Sequence, residues 1–408
     1  MFTRPSHDVV VIGAGVVGAA CAYYAARAGL SVGVVDRGPV AGGTTGAGEG
    51  NLLLSDKAPG PELDLARLSA RLWRELAEEL PAAIEYEAKG GLVVAAEPAG
   101  QQALRAFAAS QAAAGVRTEE IGPERLADYE PHLAPGLASG FHYPEDAQVQ
   151  PALAAAHLLR EARRAGAELY LGERVEALLL DPVLGGSGVR GVRTHRRELA
   201  AGAVVNAAGT WGGEVATLAG VCLPVLPRRG FVLVTEPLPR VVRHKVYAAD
   251  YVADVASGSA ALQSSAVVEG TPAGPVLIGA TRERVGFDRS VSIEALRRLA
   301  GEAAALFPVL ADVRVLRAYR GFRPYLPDHL PAIGADPRAP GLYHACGHEG
   351  AGIGLAPATG LLIVDQLTGR RAADRAGVDL AAFRPERFDE PERFDEPERF
   401  DEPERFDE

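Results

Sequence analysis

Residues 8–12, Asp-Val-Val-Val-Ile, run directly into Gly13-Ala14-Gly15-Val16-Val17-Gly18, a glycine spacing suited to holding phosphate. In such a turn Gly13 suits the tight bend, Gly15 lets backbone approach a pyrophosphate, and Gly18 lets helix and strand pack closely. A helical stretch follows over residues 19–28, then a second β-branched run over 31–35 that closes on Asp36 and Arg37. Asp36 stands 18 residues past Gly18, where a carboxylate can accept hydrogen bonds from ribose hydroxyls. Strand, glycine turn, helix, strand and terminal acid together predict a dinucleotide-binding βαβ unit, with Ala14 and Val17 in its phosphate turn. A second glycine-rich loop follows at once, over residues 42–51, with Gly43, Thr44, Thr45, Gly48, Gly50 and Asn51. Two hydroxyls and many open main-chain groups suit a second set of phosphate and ribitol contacts, which an elongated FAD requires. Near the other end His344, Cys346 and His348 alternate, so on a strand they share one face, a spacing open to a metal ion. No further cysteine completes a four-ligand set there, and no metal is assigned.

These residues need elements to hold them. Leu68, Leu72, Leu76 and Leu80 recur every fourth residue before Pro81, the stripe of an amphipathic helix facing a core. Residues 151–165 read as a helix leading to a short strand at 168–171, and residues 203–207 as a buried strand entering the turn Ala208-Gly209-Thr210-Trp211. Residues 222–320 are richer in β-type runs, and 355–367 form an apolar helix after a run of glycines. The chain has 408 residues, enough for two or three domains, and a net charge of −11. An acidic chain without a long basic stretch is a poor nucleic-acid binder. The uncharged run over residues 9–26 has the length of a membrane segment, but Gly13, Gly15 and Gly18 interrupt it, and no transmembrane segment is assigned. Three widely spaced cysteines exclude a disulfide framework and point to a reducing, cytoplasmic compartment. Residues 385–408 are four copies of Pro-Glu-Arg-Phe-Asp-Glu carrying −8 of the charge, which predicts a disordered, solvated tail.

The paired glycine segments resemble those of the D-amino-acid oxidase and glycine oxidase superfamily of FAD enzymes (the DAO family), over about residues 7–370. The likeness is nearest to the flavin subunits of opine, D-hydroxyproline and cyanide-forming glycine dehydrogenases. The resemblance implies an α/β fold: a Rossmann-like FAD-binding domain of glutathione-reductase type, interleaved with an α+β substrate domain containing a large mixed sheet. It places the FAD domain at residues 1–90, 145–220 and 321–384, and the substrate domain at 91–144 and 221–320. It implies further FAD contacts from Val175, through its backbone, and from Ala208, Gly209 and Trp211, although Trp211 equally suits a core position. Gly350, Gly352, Ile353 and Gly354, at the start of the last helix, would face the flavin edge and favour its anionic reduced form. Arg320-Gly-Phe-Arg323-Pro is similar to the family's G-x-R-P motif, whose arginine clamps the substrate carboxylate. Tyr247 and Tyr251 are candidates to line the substrate pocket, and His348 to border the flavin.

The activity implied is oxidation of the C–N bond of a small amino or imino acid, of D-hydroxyproline, D-proline, glycine, sarcosine or opine type, by hydride transfer to flavin N5. Glu49 either orients the substrate amine or is an exposed loop acid. Relatives with covalently bound FAD carry a cysteine where this chain has Gly321, which implies non-covalent FAD. Relatives that use oxygen carry a lysine near the flavin where this chain has Leu277, which favours a dehydrogenase passing electrons to a partner, such as an iron–sulfur or other electron-accepting subunit. An oxygen-using oxidase that releases hydrogen peroxide, and a non-catalytic flavin-binding subunit, are the alternatives.

Overall fold

The computed structural model describes residues 6–80, 82–181, 188–252, 257–370 and 377–389. The run Ser6–Ile12 becomes the centre of a sheet because β-branched side chains pack on both of its faces. Strand Val32–Asp36 lies parallel to it on one side and Glu198–Asn206 on the other, with Val11 opposite both Val34 and Val205. Glu168–Leu171 and Leu342–Cys346 extend the parallel order outward, and Ala332–Ala335 closes one edge antiparallel. The helix Val16–Arg27 crosses between the first two strands, packed against Pro151–Arg164 and Gly352–Leu367. Strands from residues 6–36, 168–206 and 332–346 thus form one Rossmann-type sheet, as the fold reading expected.

A second eight-stranded sheet runs in the order Val315–Tyr325, Leu226–Pro237, Pro275–Arg282, Gln263–Gly270, Lys245–Ala248, Gly91–Ala95, Ser139–Tyr143, Glu119–Ile121. It is mixed, because Lys245–Ala248 and Gly91–Ala95 pair parallel among antiparallel neighbours. Its strands lie within residues 91–143 and 226–325. Val315–Tyr325 is continuous, so a division after residue 320 cuts through a strand whose pairing runs from Leu226 opposite Tyr325 to Thr235 opposite Val315. Arg323 therefore reaches its place as a residue of the second sheet.

Two helix contacts fix the end of the last helix. Gly360 lies against the Ala20 backbone, where a Cβ would sit 2.6 Å from the Ala20 carbonyl carbon, so the helices Val16–Arg27 and Gly352–Leu367 can touch. Pro357, inside that helix, has no N–H for the carbonyl of Ile353 four residues earlier. The indole Nε1 of Trp73 donates to that carbonyl at 3.0 Å instead, from the helix Pro61–Glu79. Residues 349–367 are long and apolar enough to span a membrane, but most of this stretch is buried, which is also how the core helix of a folded domain looks.

The start of the repeat tail departs from expectation. Pro385–Phe388 forms a 3₁₀ turn, and Phe388 is buried in the cluster that holds Leu326, Ala332 and Ala339. Arg387 pairs with Asp328 at 2.6 Å and donates to the Leu330 carbonyl at 2.6 Å, and Arg338 bridges Asp336 and Asp389. A single Phe can be buried here because a folded surface already supplies the pocket, which a solvated hexapeptide cannot. Residues 390–408, the remainder of the repeats, lie outside the described residues.

Candidate functional site

A cavity of about 850 Å³ runs between the two sheets. Its wall includes Asp36, Arg37, Glu173, Arg174 and Val175, and also Glu49, Tyr251, Arg323, His348 and Glu349. Gly13, Gly15 and Val17 line it at the N-terminus of the first helix. The glycines there are sterically required. Gly13 has φ +116°, and a Cβ on Gly18 would lie 2.0 Å from the Gly13 carbonyl oxygen. Gly18 and Ala14 shape the turn from outside the wall: the Ala14 N–H donates to Asp36 Oδ2 at 2.7 Å, and the Gly38 N–H to Oδ1 at 2.7 Å. Asp36 therefore ties the phosphate turn to the strand end while still facing the cavity.

The second glycine loop is the hinge between cavity and second sheet. Thr45 accepts the Val16 N–H at 3.0 Å, so its own O–H stays available, and Thr44 donates to the Phe322 carbonyl at 2.6 Å. Thr210, from the turn at residues 208–211, donates to the same carbonyl at 2.8 Å. Gly43, Thr44, Thr45, Gly48 and Asn51 line the cavity; Gly50 does not, because it packs on Val149, where a Cβ would sit 1.9 Å from the carbonyl oxygen. Ala208, Gly209 and Trp211 line it as well, with Trp211 sandwiched between the Arg37 guanidinium at 3.7 Å and the Phe287 ring at 5.4 Å. Gly350, Gly352 and Ile353 form the wall where the last helix begins with no acidic residue in its first turn; Gly354 packs behind, against Asn51 and Leu52.

Arg323 faces the cavity through a gap that one glycine keeps open. Its Nη1 donates to the Thr281 carbonyl at 2.9 Å, and a Cβ on Gly230 of the neighbouring strand would lie 2.2 Å from Nη1. Burial, then the nearby Arg282 charge, lower its pKa to about 10, so it stays cationic. The sequence signal for Gly230 is an isolated glycine within a strand, which marks close approach of another group. Tyr251 lines the cavity with Arg282 over its ring at 4.5 Å. Tyr247 does not reach the wall: it is fully buried, packs on Tyr251 with centroids 4.9 Å apart, and donates to Ser55 at 2.5 Å. Lys245–Ala248 is an interior strand, which turns this side chain into the core between sheet and helix.

His348 is in the wall, but its Nε2 meets Thr359 Oγ1 at 3.0 Å and burial lowers its pKa to about 3, so it is neutral and no source of positive charge. His344 lies between Asn206 and Asp336, and the Cys346 thiol donates to the Asn206 carbonyl at 2.9 Å, so the alternating trio is spent on internal contacts. Glu349, missed in the sequence, lines the cavity: burial opposes its charge, but His329 and Arg228 outweigh it and hold the pKa at about 2. Glu49 is 8% exposed, which removes the reading of an exposed loop acid. Leu277 is not among the residues that line the cavity. None of the chain's three lysines is in that wall.

The comparisons agree with this geometry. Residues 8–366 match the model of the DAO family, described as FAD dependent oxidoreductase. The chain is 29% identical to hydrogen cyanide synthase subunit HcnC of Pseudomonas aeruginosa over 94% of this chain and 96% of that protein. It is 30% identical to glycine oxidase of Geobacillus kaustophilus over 92% and 96% of the two chains. The crystal structure of that oxidase superposes with a TM-score of 0.82 at 28% identity, over 94% and 98% of the two chains. L-proline dehydrogenase from P. horikoshii shares the fold, with a TM-score of 0.84 at 24% identity over 95% and 99%. The chain belongs to the DAO family and is an FAD-dependent oxidoreductase.

The residues present fit FAD. The helix N-terminus behind Gly15, the Asp36 carboxylate, the open groups of the loop at residues 42–51 and the helix N-terminus at Gly352 line one continuous cavity.

Proposed function

We propose that this enzyme oxidises the C–N bond of a small amino or imino acid, with Arg323 holding the substrate carboxylate. The single observation that carries this reading is the half-buried Arg323 guanidinium facing the cavity, in a slot that Gly230 keeps open. A planar fork there can take both carboxylate oxygens and fix the α-carbon. Tyr251 and the neutral His348 shape the wall beside it, and Glu349, already paired to Arg228 and His329, leaves Arg323 free of a carboxylate partner from that side. Gly13, Gly15, Asp36, Thr45 and Val175 would hold FAD along the rest of the cavity. When bound, FAD takes up the two electrons of the C–N oxidation. Non-covalent binding is supported by the cysteines: Cys21 and Cys346 are buried elsewhere, Cys222 is exposed, and none lines the cavity.

Electrons then pass to a partner protein. A cavity wall without lysine supports this dehydrogenase reading, and HcnC, the similar protein, is itself named a subunit. Oxidase action is the second reading, favoured by the likeness to glycine oxidases.

The test is anaerobic mixing with glycine, sarcosine, D-proline, D-hydroxyproline and an opine, followed through the flavin absorbance. Bleaching with slow reoxidation in air supports the dehydrogenase, and peroxide released at the turnover rate supports the oxidase. A protein that keeps FAD yet bleaches with no amino or imino acid overturns the reading. Arg323→Ala is expected to raise KM about 100-fold, the equivalent of ~3 kcal/mol for a lost charge-assisted pair, with FAD content unchanged.

A further inference from the structure

Glu49 is buried in the cavity wall, and its Oε1 has no hydrogen-bond partner. Space for this carboxyl is kept by the opposite strand: a Cβ on Gly279 would lie 2.3 Å from Oε2 and 2.6 Å from Oε1. The charged and titratable groups facing it are Lys245, Glu269, Arg323, Arg282, Tyr251 and Tyr319. Lys245 is committed to an ion pair with Glu269, and Arg323 donates to the Thr281 carbonyl. An unpaired buried carboxylate is costly, so a ligand that brings a positive N–H to it is favoured over one that does not. Burial raises the proton affinity of Glu49 while Lys245 works against that, Glu269 adds to it, and Arg323 and Arg282 oppose it.

We propose that Glu49 binds the substrate nitrogen through Oε1 and accepts the proton that an ammonium group must lose before its C–N bond is oxidised. The inference rests on the amino-acid reading of the cavity. In this step an N–H bond breaks, its electron pair stays on nitrogen, and the proton forms an O–H bond at Glu49; nothing is oxidised or reduced. Before that transfer, Arg323 at the carboxylate and Glu49 at the nitrogen grip the zwitterion from its two ends. The site selects an α-amine over the same acid without it.

The experiment uses the FAD-loaded enzyme with 2-aminoisobutyrate, which has no α-hydrogen to lose, and isobutyrate, its amine-free counterpart. Binding is read from the perturbed flavin absorbance and by calorimetry in two buffers of different ionisation heat. The wild-type protein is expected to prefer the amino acid at least ~tenfold, and proton uptake is expected to differ between the two ligands by about one, because isobutyrate forces Glu49 to be protonated. Glu49→Gln, with FAD retained, is expected to abolish the preference and the proton difference, and to remove the acidic limb of kcat/KM. A Glu49→Gln protein that keeps the preference, or a wild-type protein with equal proton uptake for both ligands, overturns the proposal. The wild-type measurement stands even if the variant fails to load FAD. Arg323→Ala separates the two claims: if it binds both ligands as tightly as wild type, the amino-acid reading itself fails, whereas loss of both ligands beside an unaffected Glu49→Gln sinks only the role of Glu49.

Discussion

At the scale of single residues, burial decides what each ionisable group can do. Asp146 accepts the Leu54 N–H at 2.8 Å and is bonded to Ser55, which in turn accepts from Tyr247. Burial outweighs these bonds and lifts its pKa to about 7 from the ordinary 3.8. Between those values the native state keeps a proton that the unfolded chain has released, so this group makes stability fall as pH rises through the window. Asp146→Asn is expected to flatten that part of the pH dependence of urea unfolding between pH 4 and 7, measured against wild type. Glu349 works the other way: with its pKa held at about 2 against an ordinary 4.5, it contributes stability that is lost as pH falls through that range.

At the scale of elements, glycine and proline positions set the site. Gly230→Ala puts a methyl where Arg323 Nη1 lies, so it is expected to raise KM about tenfold for the carboxylate substrate, with FAD absorbance intact. Steady-state kinetics beside the flavin spectrum checks this. The last helix depends on a different repair. Trp73→Phe leaves the Ile353 carbonyl unpaired next to Pro357, at an expected cost of ~1–3 kcal/mol, read as a lower Tm. The same variant is expected to weaken FAD binding, since Ile353 lines the cavity.

At the scale of the whole molecule, the start of the repeat segment belongs to the fold. Phe388, Arg387 and Asp389 of the first copy are packed or paired against the edge of the Rossmann-type sheet. Relative to truncation after residue 389, truncation after residue 384 is therefore expected to cost ~1–3 kcal/mol of stability for the lost buried phenyl and ion pairs. Thermal melts of the two truncations check this. The loop at residues 42–51 ties the first helix to the second sheet beside the cavity: Thr45 is bonded to Val16 and Thr44 to the strand carrying Arg323.

Local signals carried much of this protein. The turn at residues 13–18 with Asp36, the stripe of Leu68, Leu72 and Leu76, and the β-branched runs of both sheets are legible because backbone geometry and hydrophobic period act over a few residues. The resemblance of Arg323 and its neighbours to a known motif directed attention to its part of the cavity wall. Tertiary structure alone decided which side chains meet there. It turned Tyr247 into the core and Tyr251 into the wall, spent His344 and Cys346 on Asp336 and Asn206, buried Glu49 beside Gly279, and docked Phe388. Most of those outcomes depend on partners tens to hundreds of residues away, and all of them on burial, which no short stretch of sequence contains.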